Sequence, residues 1–386
     1  MLVKVLSVVL IFLTCSVCLK TVSTNIVVET RSRPWIIAHR GSSGVYPEHT
    51  IAAYKRAIED GADLIECDLL LTRDRQLVCL HEPYLTSSTN IAQHPEYETR
   101  KRKLTIPDHG ELDDWFSFDF TLEELKSLRV KQRFSFRDQS FNGIYQIPTF
   151  HEYIRVAKEA KRLVGIYPEI KHPELINSLP FMNGFKFEDI LLDVLKQHGY
   201  TKKGDFCLIQ SFSDPALRYI KSKTDIRLVI LVEREEDIMG PFLNDSKIED
   251  WATLYHGIGA WKTQIVEYFE NTNKYKNWIS NETNLLDRVL DSGLNLHLYT
   301  FRNEDQFLAW NFKQDPIDEY LYFSRLGDIE GYFTDFPHTM FRAFEERHKS
   351  DGCNVAKTRT TNRTGSVTSS PVIRIIMVII TFCILS

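Results

Sequence analysis

The chain has little cysteine, no long basic run, and no apolar stretch that reaches the ~20 residues a bilayer-spanning helix needs. Lys and Arg total 47 against 52 Asp and Glu in 386 residues, a formal charge of −5 with pI near 6.2. Interspersed signs of this kind argue against a nucleic-acid partner, so an anionic ligand needs a local cationic site. With only 17 Gly and 14 Pro, no internal repeat or low-complexity linker divides residues 34–348, and a hydrophobic content of 43% is ordinary for a globular core.

Of the seven cysteines, Cys15 and Cys18 lie in an N-terminal leader and Cys383 in the C-terminal tail. Cys67, Cys79, Cys207 and Cys353 remain. They allow two disulfides arithmetically, or buried single thiols, because spacing does not fix connectivity.

The two ends read as targeting segments. Lys4 precedes the apolar run Val5–Leu13, so residues 1–20 are expected to be a secretory signal peptide, cut between Cys18 and Thr24. At the other end a polar spacer, residues 349–370, leads to the short apolar tail 371–386. That pattern fits a GPI-anchor signal and places the protein at the cell surface, or secreted. The sequons at Asn244, Asn281 and Asn362 are glycosylation candidates in that setting.

Between the ends, short apolar runs alternate with helix-length sequence: 35–38, 63–70, 77–80, 165–170, 206–210, 228–232, 255–260, 294–300 and 331–334. Strands apolar on both faces that alternate with helices imply a parallel sheet, doubly wound or closed into a (β/α)₈ barrel. Nine candidates exceed a barrel's eight, so 77–80 or 255–260 is expected to lie outside. Residues 84–147 break the alternation. Only Thr121–Leu128 reads as helix there, Thr121 capping with Glu124, and an irregular segment beside strand ends suggests a site wall.

Almost every strand finishes on something hydrophilic, at the rim where barrel enzymes carry their chemistry. The first ends in His39-Arg40. Glu66 and Asp68 are two apart, hence on one face, and the pair is costly in a core without a cation. His81 follows, then Glu169 and Lys171, again on one face, with Gln210, Tyr299 and Arg302 on later strands. Three carboxylates make an oxygen-rich set for a hard divalent cation such as Ca²⁺ or Mg²⁺, rather than zinc. Two histidines can exchange protons near neutral pH, while Arg40 and Lys171 offer fixed charge to phosphate oxygens. Together they describe phosphodiester cleavage.

The motifs H-R-G-S-S-G-V-Y-P-E-H-T, E-C-D, L-V-C-L-H, Y-P-E-I-K, Q-S-F, T-F-R-N-E and G-Y-F-T-D-F-P occur in order over roughly residues 34–340. They resemble the glycerophosphodiester phosphodiesterase family, in particular its periplasmic, calcium-binding branch with a long insertion. The resemblance implies a TIM barrel with His39 and His81 as the acid/base pair. It also implies Glu66, Asp68 and Glu169 as metal ligands, Arg40 and Lys171 as phosphate contacts, and Gln210 and Tyr299 as further substrate contacts. Glu48 would anchor its loop. The implied reaction takes glycerophosphocholine or glycerophosphoethanolamine to sn-glycerol 3-phosphate and an alcohol, with room for first attack by the substrate's own neighbouring hydroxyl through a cyclic phosphate. Two departures from the family pattern stand out: His81-Glu82 replaces His-Asp, and Glu330-Gly331 replaces Asp-Gly.

Phospholipase D-like cleavage of lysophospholipids or sphingomyelin at a membrane is the alternative on the same fold, and an inactive surface binding protein a third reading. His94, His109 and His348 have no site context in the sequence and are expected to be solvated.

Overall fold

The computed structural model describes residues 33–107, 109–233, 243–268, 278–345 and 347. Its strands are β1 (Trp35–Ala38), β2 (Leu64–Leu71), β3 (Leu77–Cys79), β4 (Arg102–Ile106), β5 (Gly110–Asp114), β6 (Gly165–Ile170) and β7 (Leu208–Ser211). They continue with β8 (Arg227–Val232), β9 (Gly257–Trp261), β10 (Val266–Tyr268), β11 (Ile279–Glu282), β12 (Asn295–Phe301) and β13 (Gly331–Thr334). Eight of these, in the order β1-β13-β12-β9-β8-β7-β6-β2, pair in parallel, and β1 also pairs with β2, so the sheet closes into a barrel. Of the two strands that could have been supernumerary, β3 is the one: it adds antiparallel to β2, with Leu69 opposite Cys79.

The period-two alternation of each strand divides two layers. Trp35, Ile37, Leu64, Tyr167, Leu208, Val229 and Phe333 pack together inside the barrel. Ile36, Ala38, Ile65, Cys67 and Ile166 belong to the larger core between strands and helices. The inward phase of β2 continues from Leu64 to Glu66 and Asp68, and that of β6 from Tyr167 to Glu169 and Lys171. The apolar plug thus gives way to charge at the carboxyl ends.

The helix after β1 spans Ile51–Glu59, capped by the Thr50 side chain. The segment from 84 to 147 carries the antiparallel β4–β5 hairpin and the helix Leu122–Ser127, whose capping box joins Thr121 and Glu124 as expected. Cys67 and Cys79 form a disulfide, Cα–Cα 5.8 Å, that ties β2 to β3, while Cys207 is a buried thiol. One of the two readings left open for the cysteines therefore holds for each site. The leader, the C-terminal spacer and tail, Cys353, Asn362 and His348 lie outside the described residues, and no described helix is long and apolar enough to cross a membrane.

Candidate active site

The chain leaves β1 through a turn in which Arg40 and Gly41 have φ of 60° and 84°. A side chain at Gly41 would stand 2.7 Å from the Ala53 backbone, so only glycine fits. This turn points His39 and Arg40 into the mouth of the barrel. Arg40 donates its backbone N–H to Glu66 Oε2 at 2.7 Å, and its guanidinium reaches Glu48 at 3.1 Å and Asp68 at 3.3 Å. Glu48 therefore holds Arg40.

His39 Nδ1 lies 2.7 Å from Asp335 Oδ1, and Arg40 Nε donates to His39 Nε2 at 3.2 Å. The carboxylate selects the Nδ1–H tautomer and leaves the Nε2 lone pair facing the pocket. His81 repeats the arrangement: Nδ1 is 2.7 Å from Glu82 Oε1, and Nε2 is 3.3 Å from Lys171 Nζ. Burial, with Arg40 adding to it, lowers the His39 pKa to about 4. Burial, then Arg40 and Lys171, lowers that of His81 to about 3. Both imidazoles are thus neutral bases at pH 7 until an anion enters.

Below them, oxygens of Glu66, Asp68 and Glu169 all lie within 4.8 Å of one another in a buried cluster. Burial and the neighbouring Asp68 charge raise the Glu66 pKa well above the usual carboxylate range. Burial, opposed by Lys171 and reinforced by Asp68, pushes Glu169 up to about 8. Asp68 moves the other way, since His81, Lys171 and Arg40 together outweigh its burial. A buried all-oxygen set in which Glu66 and Glu169 resist ionising beside Asp68 fits a hard divalent cation, which would lift that penalty. Arg40 and Lys171 add counter-charge beside the cluster, Lys171 lying 3.0 Å from Glu169.

All nine residues expected at the site, except the underlying Asp68, line one pocket of about 270 Å³. Gln210 presents a buried Oε1 with no hydrogen-bond partner, an acceptor open to a ligand. Tyr299 lines the pocket with its ring, because its hydroxyl donates to the Val232 carbonyl at 2.6 Å. Asn244 and Asn281 are exposed; Asn244 caps the helix Asp245–Ala252, and Asn281 donates to Glu267.

Sequence reasoning missed several partners. His49 binds Asp68 Oδ2 at 2.8 Å, and Asp335 accepts from Arg137 at 2.6 Å and Arg302 at 2.9 Å besides holding His39. Arg133, from the 84–147 segment, reaches Glu82 at 3.1 Å. The expectation that His109 is solvated is corrected: its Nε2 is 2.8 Å from Glu82 Oε2, and it lines the pocket. His94 stays at the surface, 20% of its side chain exposed and 3.0 Å from the exposed Glu96. The carboxylate that holds His109 lies far back along the chain, where local spacing does not reveal it.

Residues 39–339 match the model of the glycerophosphoryl diester phosphodiesterase family. The glycerophosphodiester phosphodiesterase GDPD6 of Arabidopsis thaliana is 41% identical over 322 residues, 79% of this chain and 84% of that one. A glycerophosphodiester phosphodiesterase of Haemophilus influenzae is 29% identical over 349 residues, 81% of this chain and 90% of the other. Among solved structures, the fold resembles a phosphodiesterase of Oleispira antarctica in complex with the product sn-glycerol-3-phosphate, at TM-score 0.54 and 22% identity, covering 81% of this chain and 97% of that one. The chain belongs to the glycerophosphoryl diester phosphodiesterase family and is an enzyme of that class.

Proposed function

We propose that the protein hydrolyses soluble glycerophosphodiesters such as glycerophosphocholine and glycerophosphoethanolamine to sn-glycerol 3-phosphate and the free alcohol. The reading rests on one juxtaposition: two imidazoles that present Nε2 to the same pocket, each beside a cation, above three clustered carboxylates.

Glu66, Asp68 and Glu169 would hold a divalent cation, Ca²⁺ in preference to Mg²⁺. When bound, it would stabilise the negative charge that develops on the phosphoryl oxygens. Arg40 and Lys171 are placed to orient the phosphate, and Gln210 can accept from a substrate hydroxyl. One histidine takes the proton of the attacking oxygen and the other returns one to the leaving alcohol. The anionic phosphate supplies what the depressed pKa values lack, because a negative charge beside the rings raises their proton affinity. Asp335 and Glu82 keep the tautomers that make this exchange productive.

A cell-surface or secreted location accords with the Cys67–Cys79 bridge, a bond typical of oxidising compartments, and with exposed Asn244 and Asn281. Release from intact cells by a phosphatidylinositol-specific phospholipase C tests the expected lipid anchor.

The decisive assay compares glycerol 3-phosphate release from glycerophosphocholine with choline release from lysophosphatidylcholine, each with and without chelator. Chelator-sensitive turnover of the first substrate alone is expected. Turnover of the lysolipid alone would replace this reading with the phospholipase D-like one, and turnover of neither would remove both.

A further inference from the structure

A second group of ligand-type side chains lies at the opposite, amino-terminal end of the barrel. His256 immediately precedes β9, His297 is the third residue of β12, and Glu330 immediately precedes β13. These three strands are neighbours, and their register places Asn295 opposite Gly257 and His297 opposite Gly331. The side chains meet in one layer: Nε2 of His256 lies 2.8 Å, and Nε2 of His297 2.7 Å, from the same oxygen of Glu330.

The surroundings have the features of a ligand site. The three donor atoms lie within 4.8 Å of one another. The His297 side chain is fully buried, whereas His256 and Glu330 keep 15% and 24% of their side-chain surface exposed, which leaves one face open to water. His297 Nδ1 is held by the Tyr167 hydroxyl at 2.7 Å, the outer partner that ligating histidines usually have. Asn295 Nδ2 sits 3.4 Å from the His256 ring nitrogens, and Trp35 packs on His297 at 5.8 Å. Backbone bonds from His256 to Leu228 and from Glu330 to Leu296 fix the supports.

We propose that His256, His297 and Glu330 form a second cation site that takes a borderline transition-metal ion of the Zn²⁺ class, separate from the carboxylate site at the catalytic rim. Two nitrogens and one oxygen with an open fourth position suit zinc, whereas the all-oxygen rim suits Ca²⁺ or Mg²⁺. Binding requires each imidazole to carry its proton on Nδ1. For His297 the Tyr167 oxygen then accepts it; for His256 the Asn295 side-chain carbonyl can, after an amide flip. Glu330 already turns one carboxylate oxygen toward both rings. Arg227 packs over Trp35 at 5.4 Å and also interacts electrostatically with Glu330. Its charge opposes a cation, so affinity is expected below that of a closed four-ligand site. The site's effect would be to clamp the starts of β9, β12 and β13.

Co²⁺ is a spectroscopic stand-in for Zn²⁺. The chelator-treated protein, with Ca²⁺ in excess to occupy the rim, is titrated with Co²⁺ and read by visible absorption and by metal content after dialysis. Wild type and Glu66→Gln should each retain one Co²⁺ with tetrahedral bands, and Zn²⁺ should displace it and raise Tm by about 3 °C at a hundredfold excess over Kd. His256→Gln, whose amide can still donate to Glu330, should stay folded by circular dichroism and lose the bands while keeping its diesterase activity. Two paramagnetically shifted exchangeable imidazole resonances in Glu66→Gln would identify the ligands without any amino-end variant. No retained Co²⁺ in the wild type, or bands lost in Glu66→Gln but kept in His256→Gln, would overturn the proposal.

Discussion

The two ends of the barrel handle buried charge in opposite ways. At the carboxyl rim, Glu66 and Glu169 are pushed toward their neutral forms by burial and by Asp68. At the amino end Glu330 is held ionised between two imidazoles that each approach within 2.8 Å. A set of like charges with too few counter-charges is a poor way to stabilise a core, and it persists where a ligand completes it. A set that satisfies itself stabilises the fold whether or not an ion joins it. The comparison therefore separates a site kept for chemistry from one whose first contribution is structural.

The largest expected effect breaks the rim. His39→Ala or His81→Ala should lower kcat by roughly 10²–10⁴ if each ring moves a proton in the transition state. Both should leave the cation-free Tm near the wild-type value, because neither ring contributes to the apolar plug. A kcat within threefold of wild type for either variant would remove it from the chemistry. Asp335→Asn should follow with a smaller loss. The amide cannot accept from Nδ1–H while its oxygen serves Arg137 and Arg302, so the tautomer at His39 is no longer fixed. A pH–rate profile displaced relative to wild type separates that positioning role from simple destabilisation.

A pair of matched substitutions then sets the two ends against each other. Glu66→Gln keeps an acceptor for the Arg40 N–H and removes a repelling charge. It should abolish activity while leaving the cation-free protein as stable as wild type, or more so. Glu330→Gln takes the charge from two hydrogen-bonded imidazoles and should cost about 1–3 kcal/mol of stability with the rim's activity unchanged. Chemical denaturation of both variants in chelator measures the contrast; equal destabilisation would erase it.

Much of the rim was legible because strands report one face every second residue. Glu66 with Asp68 and Glu169 with Lys171 could be paired from spacing alone, and their strands are adjacent in the sheet, Asp68 standing opposite Glu169. The oxygen-rich set expected from that spacing is there as a cluster, with carboxylate oxygens within 4.8 Å of one another. Asp335 could not be found that way, since it lies 296 residues from the histidine it orients. His109 and Arg133 come from a segment with no periodicity, so nothing local says that they face inward. The barrel's closure was expected but which strand stood outside it was not, because a short turn before Leu77 is compatible with either answer. The same limit applies to Cys67 and Cys79: alternation puts Cys67 on the outer face, and only the antiparallel return of β3 brings Cys79 to it. His256, His297 and Glu330 carry no spacing signature, since three separate strands supply them.

The smallest effect, and the one that best sharpens the difference between the ends, is in the protons released on binding. Glu169 ionises at about 8 in the cation-free site and Glu66 is also raised, so a cation at the rim must displace at least one proton near neutrality. A group whose folded pKa is raised stabilises the cation-free fold at low pH and loses that contribution as pH rises through the folded value. Ca²⁺ should therefore bind more tightly as pH rises from 6 to 8, by up to about tenfold per unit for each proton displaced, and should stabilise the fold most on the alkaline side. Calorimetric titrations in buffers of different ionisation enthalpy count the protons directly. Glu330, its carboxyl held low by two imidazole contacts, should give up no proton to Zn²⁺ at pH 7, in contrast to the raised carboxyls of the rim. Proton release from both ends, or from neither, would show that the two clusters do not differ in the way their burial and partners imply.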